Sequence, residues 1–186
     1  MPLAKPKALE EREIVALYGK RVFFRDYALP NEKISDFLLW GAAPIPVIGM
    51  PVTNDGDILL VKQFRCGVDD FVFEFPGGCP KQDQAPEEAL RVEIDQEVGY
   101  SCGEIHELAS PIPFEPAACT TRFIPFLVTG CAYAHEPRPD PTEILEVVKM
   151  SQESFFDNVS RLPLDAKTLT IAFLALSHLG YTLNKK

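Results

Sequence analysis

The stretch GGCPKQDQAPEEALRVEIDQEVGY, residues 77–100, decides how the rest of the chain is read. Pro86 stands where a helix can begin and Gly99 where one can end. Proline lacks an N–H that the first turn does not need, and glycine accepts the left-handed backbone that closes a helix. The spacing predicts one helix from Pro86 to Gly99. Within it Glu93 and Glu97 are four apart, so their carboxylates project from one face about one turn apart. Like charges at that spacing repel by roughly 0.2–0.5 kcal/mol unless something pairs them. A hard divalent cation would do so, and magnesium selects carboxylate oxygen. The plainer reading makes both, with Glu87, Glu88 and Asp95, the wet face of an amphipathic helix.

On the amino-terminal side of this helix the sequence has strand character. Residues 71–75 form a short aromatic run stopped by Pro76-Gly77-Gly78. Before it, Asn54-Asp55-Gly56-Asp57 separates two apolar runs, 45–52 and 58–61, and Asp-Gly in that setting marks a hairpin. Residues 21–27 and 34–40 add two more strands, with turn residues at Pro30-Asn31 and Ala43-Pro44. On the carboxyl-terminal side, residues 105–108, 123–128 and 144–148 read as strands joined by proline-rich loops. Two helices follow: 151–159, begun by a Ser151 cap with Glu153 in the first turn, and 166–179, with Asp165 as cap. No repeat or low-complexity tract interrupts the order. Many strands, one central helix, then strands and terminal helices describe a mixed α/β protein whose helices cover the faces of a sheet.

Length and composition set the outer bounds. The chain has 186 residues, enough for about one domain with a small extension. Eighteen basic residues against 27 acidic ones leave a net charge of −9, which argues against a surface that tracks nucleic acid. No apolar run is long enough for a membrane span and the first residues lack a signal-peptide core, so a soluble, cytoplasmic protein is expected. Cys66, Cys79, Cys102, Cys119 and Cys131 are odd in number, lie far apart and never form C-x-x-C, so reduced thiols are expected rather than disulfides or zinc ligands. His106, His135 and His178 lack ligand spacing and are expected to play no part. Trp40 and Phe24 are expected in a core or a subunit interface.

The helical segment resembles the signature of the Nudix hydrolases, which cleave a nucleoside diphosphate linked to another group. Anchored on Gly99, the match gives Gly78, Glu93, Ile94, Glu97, Gly99 and Tyr100. Three positions depart from it: Gln84 and Gln96 stand where the signature has Glu, and Val92 where it has Arg. Arg91 and Asp95, also four apart, offer a replacement pair. Four further segments resemble the ADP-ribose pyrophosphatase and nucleoside diphosphate sugar hydrolase branch. They are Gln63-Phe64-Arg65; the Glu74-x-Pro76-x-Gly78 entry to the box; Pro116 with Thr120-Thr121-Arg122; and the acidic stretch Pro141-Thr142-Glu143-Ile144-Leu145-Glu146. Asp165-Ala166-Lys167 is similar to the Asp-x-Lys of sugar-nucleotide hydrolases.

The resemblance implies an α-β-α sandwich with a mixed sheet. It divides the chain into a β-rich antiparallel extension, residues 1–43, expected to dimerise, and a hydrolase domain, residues 44–186. It implies magnesium, or manganese in its place, held by Glu93, Glu97 and the Gly77 carbonyl. Glu143 matches the family's late glutamate, a base or extra ligand, with Glu146 as the alternative. Catalysis is thus expected from Glu93, Glu97 and Glu143. Arg65, Glu74, Arg122 and Lys167 are expected to bind the substrate, a small nucleotide. The implied reaction splits a nucleoside diphosphate sugar, or ADP-ribose, into a nucleoside monophosphate and a sugar phosphate. The three departures leave a rival reading, a nucleotide-binding module impaired in turnover.

Overall fold

The computed structural model describes residues 4–181. Its elements run β1 (Lys7–Leu17), β2 (Lys20–Ala28), β3 (Ile34–Ala42), β4 (Val47–Thr53), β5 (Asp57–Arg65), β6 (Asp70–Glu74), β7 (Gly77–Gly78), α1 (Pro86–Val98), β8 (Tyr100–Ser101), β9 (Glu104–Glu107), β10 (Ile112–Pro113), β11 (Arg122–Tyr133), β12 (Leu145–Ser151), α2 (Gln152–Asn158) and α3 (Ala166–Ala175). They form two compact units, residues 1–45 with 113–123, and residues 46–112 with 124–186.

The first unit is built on the antiparallel sheet β1-β2-β3. β1 is an unexpected strand: all eleven of its residues are exposed, and the charged run Glu10-Glu11-Arg12-Glu13 hides its alternation in the sequence. Cross-strand pairs hold it to β2, with Arg12 Nη2 2.9 Å from Asp26 Oδ1 and Arg21 Nη2 2.9 Å from Glu11 Oε2. Arg25 pairs with Glu11 as well. On β3 the Trp40 N–H donates to the Ala118 carbonyl and the Thr120 N–H to the Trp40 carbonyl, tying residues 118–120 to this sheet.

The second unit follows from where its apolar residues fall. β4 is buried along its whole length and β5 from Ile58 to Val61, as expected of central strands covered on both faces. β4 runs parallel to β11, in the register Val47↔Ile124 to Pro51↔Val128, and antiparallel to β5, which pairs antiparallel with both β6 and β12. Parallel neighbours need a crossover connection, and α1 lies within the one joining β4 to β11. Leu90, Ile94 and Val98 recur every fourth residue on α1 and enter one core with Val47, Leu59, Val61, Phe126 and Val128. Leu90 sits on Gly49, where a Cβ would come within 2.8 Å of its Cδ2. Burying a side chain such as Leu90 contributes about 1.5–3 kcal/mol. Phe155 of α2 and Ile171, Ala172 and Ala175 of α3 are buried outside that cluster. Strand alternation sends Ile48, Met50, Ile58 and Leu60 to the side opposite α1, and α2 and α3 pack against β4, β5, β6 and β12.

Most boundaries follow the sequence reading, with corrections where chemistry outside the local pattern intervenes. Gly56 takes φ +87° and its N–H donates to the Thr53 carbonyl at 2.9 Å, closing the β4–β5 hairpin. Gly99 takes φ +74° and closes α1 on the Asp95 carbonyl. Ser151 and Asp165 cap α2 and α3, accepting from the Ser154 and Thr168 N–H groups. α3 ends at Ala175, not at residue 179, because residues 176–180 close as turns around Gly180 at φ +80°. The strand expected at 123–128 extends through Tyr133, since its far end pairs with β8.

Candidate active site

The helix row next to the Leu90-Ile94-Val98 stripe is Ala89-Glu93-Glu97, which carries the two carboxylates along the edge of the core. Glu97 is only 4% exposed, and its Oε2 accepts the Gly77 N–H at 3.0 Å. Glu93 lies against the next residue of the same turn: a Cβ on Gly78 would stand 2.2 Å from Glu93 Oε1. Gly77 is confined from the other side, where a Cβ would meet the Val47 carbonyl oxygen at 2.2 Å. Close approach of β7 to β4 and of Glu93 to β7 is therefore what requires two glycines here. Pro76-Gly77-Gly78 thus builds the cradle in which the acidic face of α1 rests.

Electrostatics show what the cradle lacks. Burial pushes the Glu97 carboxyl up to about 8, and the neighbouring charges of Glu93 and Glu143 add to it against the Gly77 hydrogen bond and the pull of Arg65. Glu93 is raised too, by burial first and by Glu143 second, with Lys81 opposing. A cation would relieve a carboxylate kept from water beside a second one. Among the described residues no group of three or more His, Cys, Asp or Glu side chains is arranged to hold a metal. A pair suits magnesium, which is bound by one or two carboxylates and keeps several waters. The donor set therefore fits a hard divalent cation. Gly77 meets the site through its N–H, which positions Glu97.

Glu143 is the third charge to act on this pair. It is held by a turn in which the Asp140 N–H donates to Glu143 Oε2 at 2.9 Å and the Glu143 N–H donates to the Asp140 carbonyl at 2.8 Å. Asp140 accepts in turn from the Thr142 N–H and hydroxyl. Glu146, the alternative position, is exposed on β12 opposite Lys62 of β5.

Arg65, at the end of β5, reaches Glu74 on the adjacent β6. Nε donates to Glu74 Oε2 at 3.0 Å, and the Nη2 group joins it on the same oxygen. Glu74 is 5% exposed, and its other oxygen lies 3.9 Å from Lys167 Nζ, which pairs with the α3 cap Asp165. Although burial works against the charged form, the bond and charge of Glu74, with help from Glu97 and Asp165, raise the Arg65 pKa. Three of the four expected substrate-binding residues therefore form one alternating chain, Arg65-Glu74-Lys167, ended by Asp165. Arg122 opens β11, is exposed and belongs to the first unit.

The structure corrects one sequence expectation. Arg91 does not pair with Asp95; its guanidinium donates to the Cys102 and Gly103 carbonyls at 2.9 and 3.2 Å. Asp95 instead meets His135, whose Nε2 stands 2.9 Å from Asp95 Oδ1. The contact joins residues 40 apart in the chain, and no local spacing announces it. Thr168 was also missed: its buried hydroxyl accepts the Phe75 N–H at 3.2 Å, beside Glu74.

Comparison with known proteins agrees with this geometry. Residues 43–170 match the model of the NUDIX domain. The chain is 30% identical over 169 residues to the ADP-ribose pyrophosphatase of Bacillus subtilis (strain 168), covering 87% of this chain and 90% of that one. It is 29% identical over 145 residues to the ADP-sugar pyrophosphatase of Mus musculus, where the match covers 72% of this chain and 65% of the relative. A crystal structure described as an ADP compounds hydrolase superposes with a TM-score of 0.83 over 97% of both chains at 18% identity, and so shares the fold. The glycine cradle, the acidic helix and these matches together make the chain a member of the Nudix hydrolase family.

Proposed function

We propose that this protein is a magnesium-dependent hydrolase of the pyrophosphate bond in ADP-ribose or a nucleoside diphosphate sugar, yielding a nucleoside monophosphate and a sugar phosphate. The observation that carries the reading is the Glu93–Glu97 pair, Glu97 buried and Glu93 half-buried, against Gly77-Gly78 and flanked by Arg65. The names of the two relatives support the substrate class. Glu93 and Glu97 would hold magnesium, or manganese in its place, with the Gly77 carbonyl as a further oxygen. When bound, the cation supplies positive charge against the phosphoanhydride and acidity to a water.

The chain's own residues do the rest. Glu143 accepts a proton from the attacking water at its carboxylate; the Asp140 turn holds it, and its charge acts on Glu93 and Glu97. Arg65 offers phosphate oxygens what remains of its five-donor fork after Nε and Nη2 are given to Glu74. Glu74 is thereby a residue that orients Arg65 and Lys167, and Lys167 serves the sugar-phosphate half. Residues 1–43 form a dimerising extension and residues 44–186 the hydrolase domain, in a cytoplasmic protein that keeps its thiols reduced. Among the described residues no helix is long and apolar enough to cross a membrane.

The competing reading, a nucleotide-binding module, draws on Gln84, Val92 and Gln96. Gln84 holds the turn before α1, accepting the Lys81 N–H at 2.9 Å, and is not one of the two carboxylates assigned to the cation here. Incubation with ADP-ribose and GDP-mannose plus magnesium, followed by product analysis, separates the two. Appearance of a nucleoside monophosphate is expected; tight nucleotide binding without any such product would favour the module.

A further inference from the structure

The last turn of α1 is fastened to the segment that follows β11. The Ala134 and His135 N–H groups both donate to the Gly99 carbonyl, at 2.9 and 3.1 Å, and the Arg138 N–H donates to the Gln96 carbonyl at 2.6 Å. A Cβ at Gly99 would lie 2.0 Å from the His135 carbonyl oxygen, so glycine both ends the helix and admits this segment. The His135 ring then reaches back along the helix. Its Nε2 is 2.9 Å from Asp95 Oδ1 and its Nδ1 2.8 Å from the Glu136 carbonyl oxygen. An acceptor stands at each ring nitrogen, and the pKa is raised by the Glu136 carbonyl first and Asp95 second.

Beyond Arg138 the chain passes through Pro139 and Pro141 to Glu143. Proline fixes φ and shortens the range of conformations such a segment can sample. The Asp140–Glu143 hydrogen bonds stiffen its far end. Only seven residues separate His135 from Glu143, whose charge acts on Glu93 and Glu97 of the same helix that the latch grips.

We propose that His135 is a positioning residue: by clasping Asp95 it fixes the 134–143 segment so that Glu143 faces the acidic pair of α1. This rests on the hydrolase reading for its consequence, but not for the latch itself. An exposed ion pair of this kind adds little stability, and its effect is instead on geometry, to which proton transfer is sensitive. Asp95 and His135 thus serve the chemistry without touching the substrate.

The experiment compares wild type, His135→Ala and His135→Gln in two assays. The first is steady-state hydrolysis of ADP-ribose with magnesium. The second is amide hydrogen exchange read by mass spectrometry over residues 131–144 and over α1. His135→Ala is expected to lower kcat about 10- to 100-fold with KM little changed, as for a misplaced catalytic group. Its 134–143 amides should exchange faster while Leu90 to Ile94 stay protected. His135→Gln, which keeps a donor within reach of Asp95, should recover most of both. Unchanged exchange in His135→Ala, or faster exchange with kcat unaltered, or no recovery in His135→Gln, would each overturn the proposal. An inert wild type would instead sink the hydrolase reading, and the exchange comparison would still decide whether the latch holds the segment.

Discussion

Glu11 and Glu97 are the same side chain in opposite circumstances. Glu11 lies on the exposed sheet of the first unit, where Arg25 and Arg21 bond it and hold its carboxyl below the usual range. Glu97 lies on the buried side of α1 in the second unit, where burial and Glu93 push it up to about 8 and, among the described residues, the Gly77 N–H is the donor bonded to it. The first charge is answered by arginines built into the adjacent strand. The second is left short of positive charge, in a fold that answers its other buried acid, Glu74, with Arg65 and Lys167. The surface carboxylate is paired in the folded chain, whereas the carboxylate proposed to bind a cation has one backbone hydrogen bond and a like charge beside it. That difference separates the acidic surface from the acidic site.

The comparison breaks most visibly in turnover. Glu97→Gln keeps the size and the acceptor for the Gly77 N–H but removes the charge. ADP-ribose hydrolysis should fall by about 10³-fold, equivalent to about 4 kcal/mol of transition-state stabilisation. A steady-state assay that found the rate within about threefold would remove Glu97 from the cation site. Glu11→Gln, assayed alongside, should leave the rate unaltered.

Stability of the metal-free protein sharpens the contrast, because the two glutamates work in opposite directions. The folded-state pKa of Glu97 lies above its unfolded value, so the folded chain binds the proton more tightly. Its penalty is absent below the unfolded pKa of 4.5 and grows as pH rises towards about 8. At pH 7 it is on the order of 3 kcal/mol. Urea titrations in chelator should therefore show wild type losing stability from pH 5 to pH 8, while Glu97→Gln loses much less and is the more stable at pH 7. Equal slopes for the two proteins would contradict the burial argument.

Arg65 should show an intermediate effect. Arg65→Ala removes the proposed phosphate contact and the Arg65 partner of buried Glu74, leaving Lys167 beside it. A loss of about 10- to 100-fold in kcat/KM is expected, roughly 1.4–2.7 kcal/mol. Arg65→Lys should recover only part of it, since an ammonium cannot reproduce the forked contact with one Glu74 oxygen. Full recovery would reduce Arg65 to a simple positive charge. The smallest effect belongs to the exposed sheet: Glu11→Gln should change unfolding free energy by no more than about 1 kcal/mol, and less in high salt.

Much of the second unit could be read from residues alone because its signals are local. Pro86 and Gly99 bracket α1, Asp55-Gly56 marks the hairpin, and Ser151 and Asp165 cap their helices through atoms three residues away. The Glu93–Glu97 pair was visible for the same reason, as one turn of helix separates them. β1 escaped notice because its strand character is supplied by β2 rather than by its own alternation. The His135–Asp95 contact and the Thr168 bond to Phe75 were hidden by distance along the chain. Spacing also suggested an Arg91–Asp95 pair, and the two carbonyls after β8 outcompeted it. Local periodicity thus locates the acids, and tertiary contacts determine which of them remain unpaired.

The central claim is that the uncompensated pair Glu93–Glu97 is a divalent-cation site. Calorimetric titration of manganese into metal-free wild type and Glu97→Gln tests it without recourse to turnover. The account predicts a binding isotherm in wild type and an affinity at least about tenfold weaker in Glu97→Gln, a difference of about 1.4 kcal/mol or more. Equal affinity in the two proteins, or no binding to wild type, would contradict it.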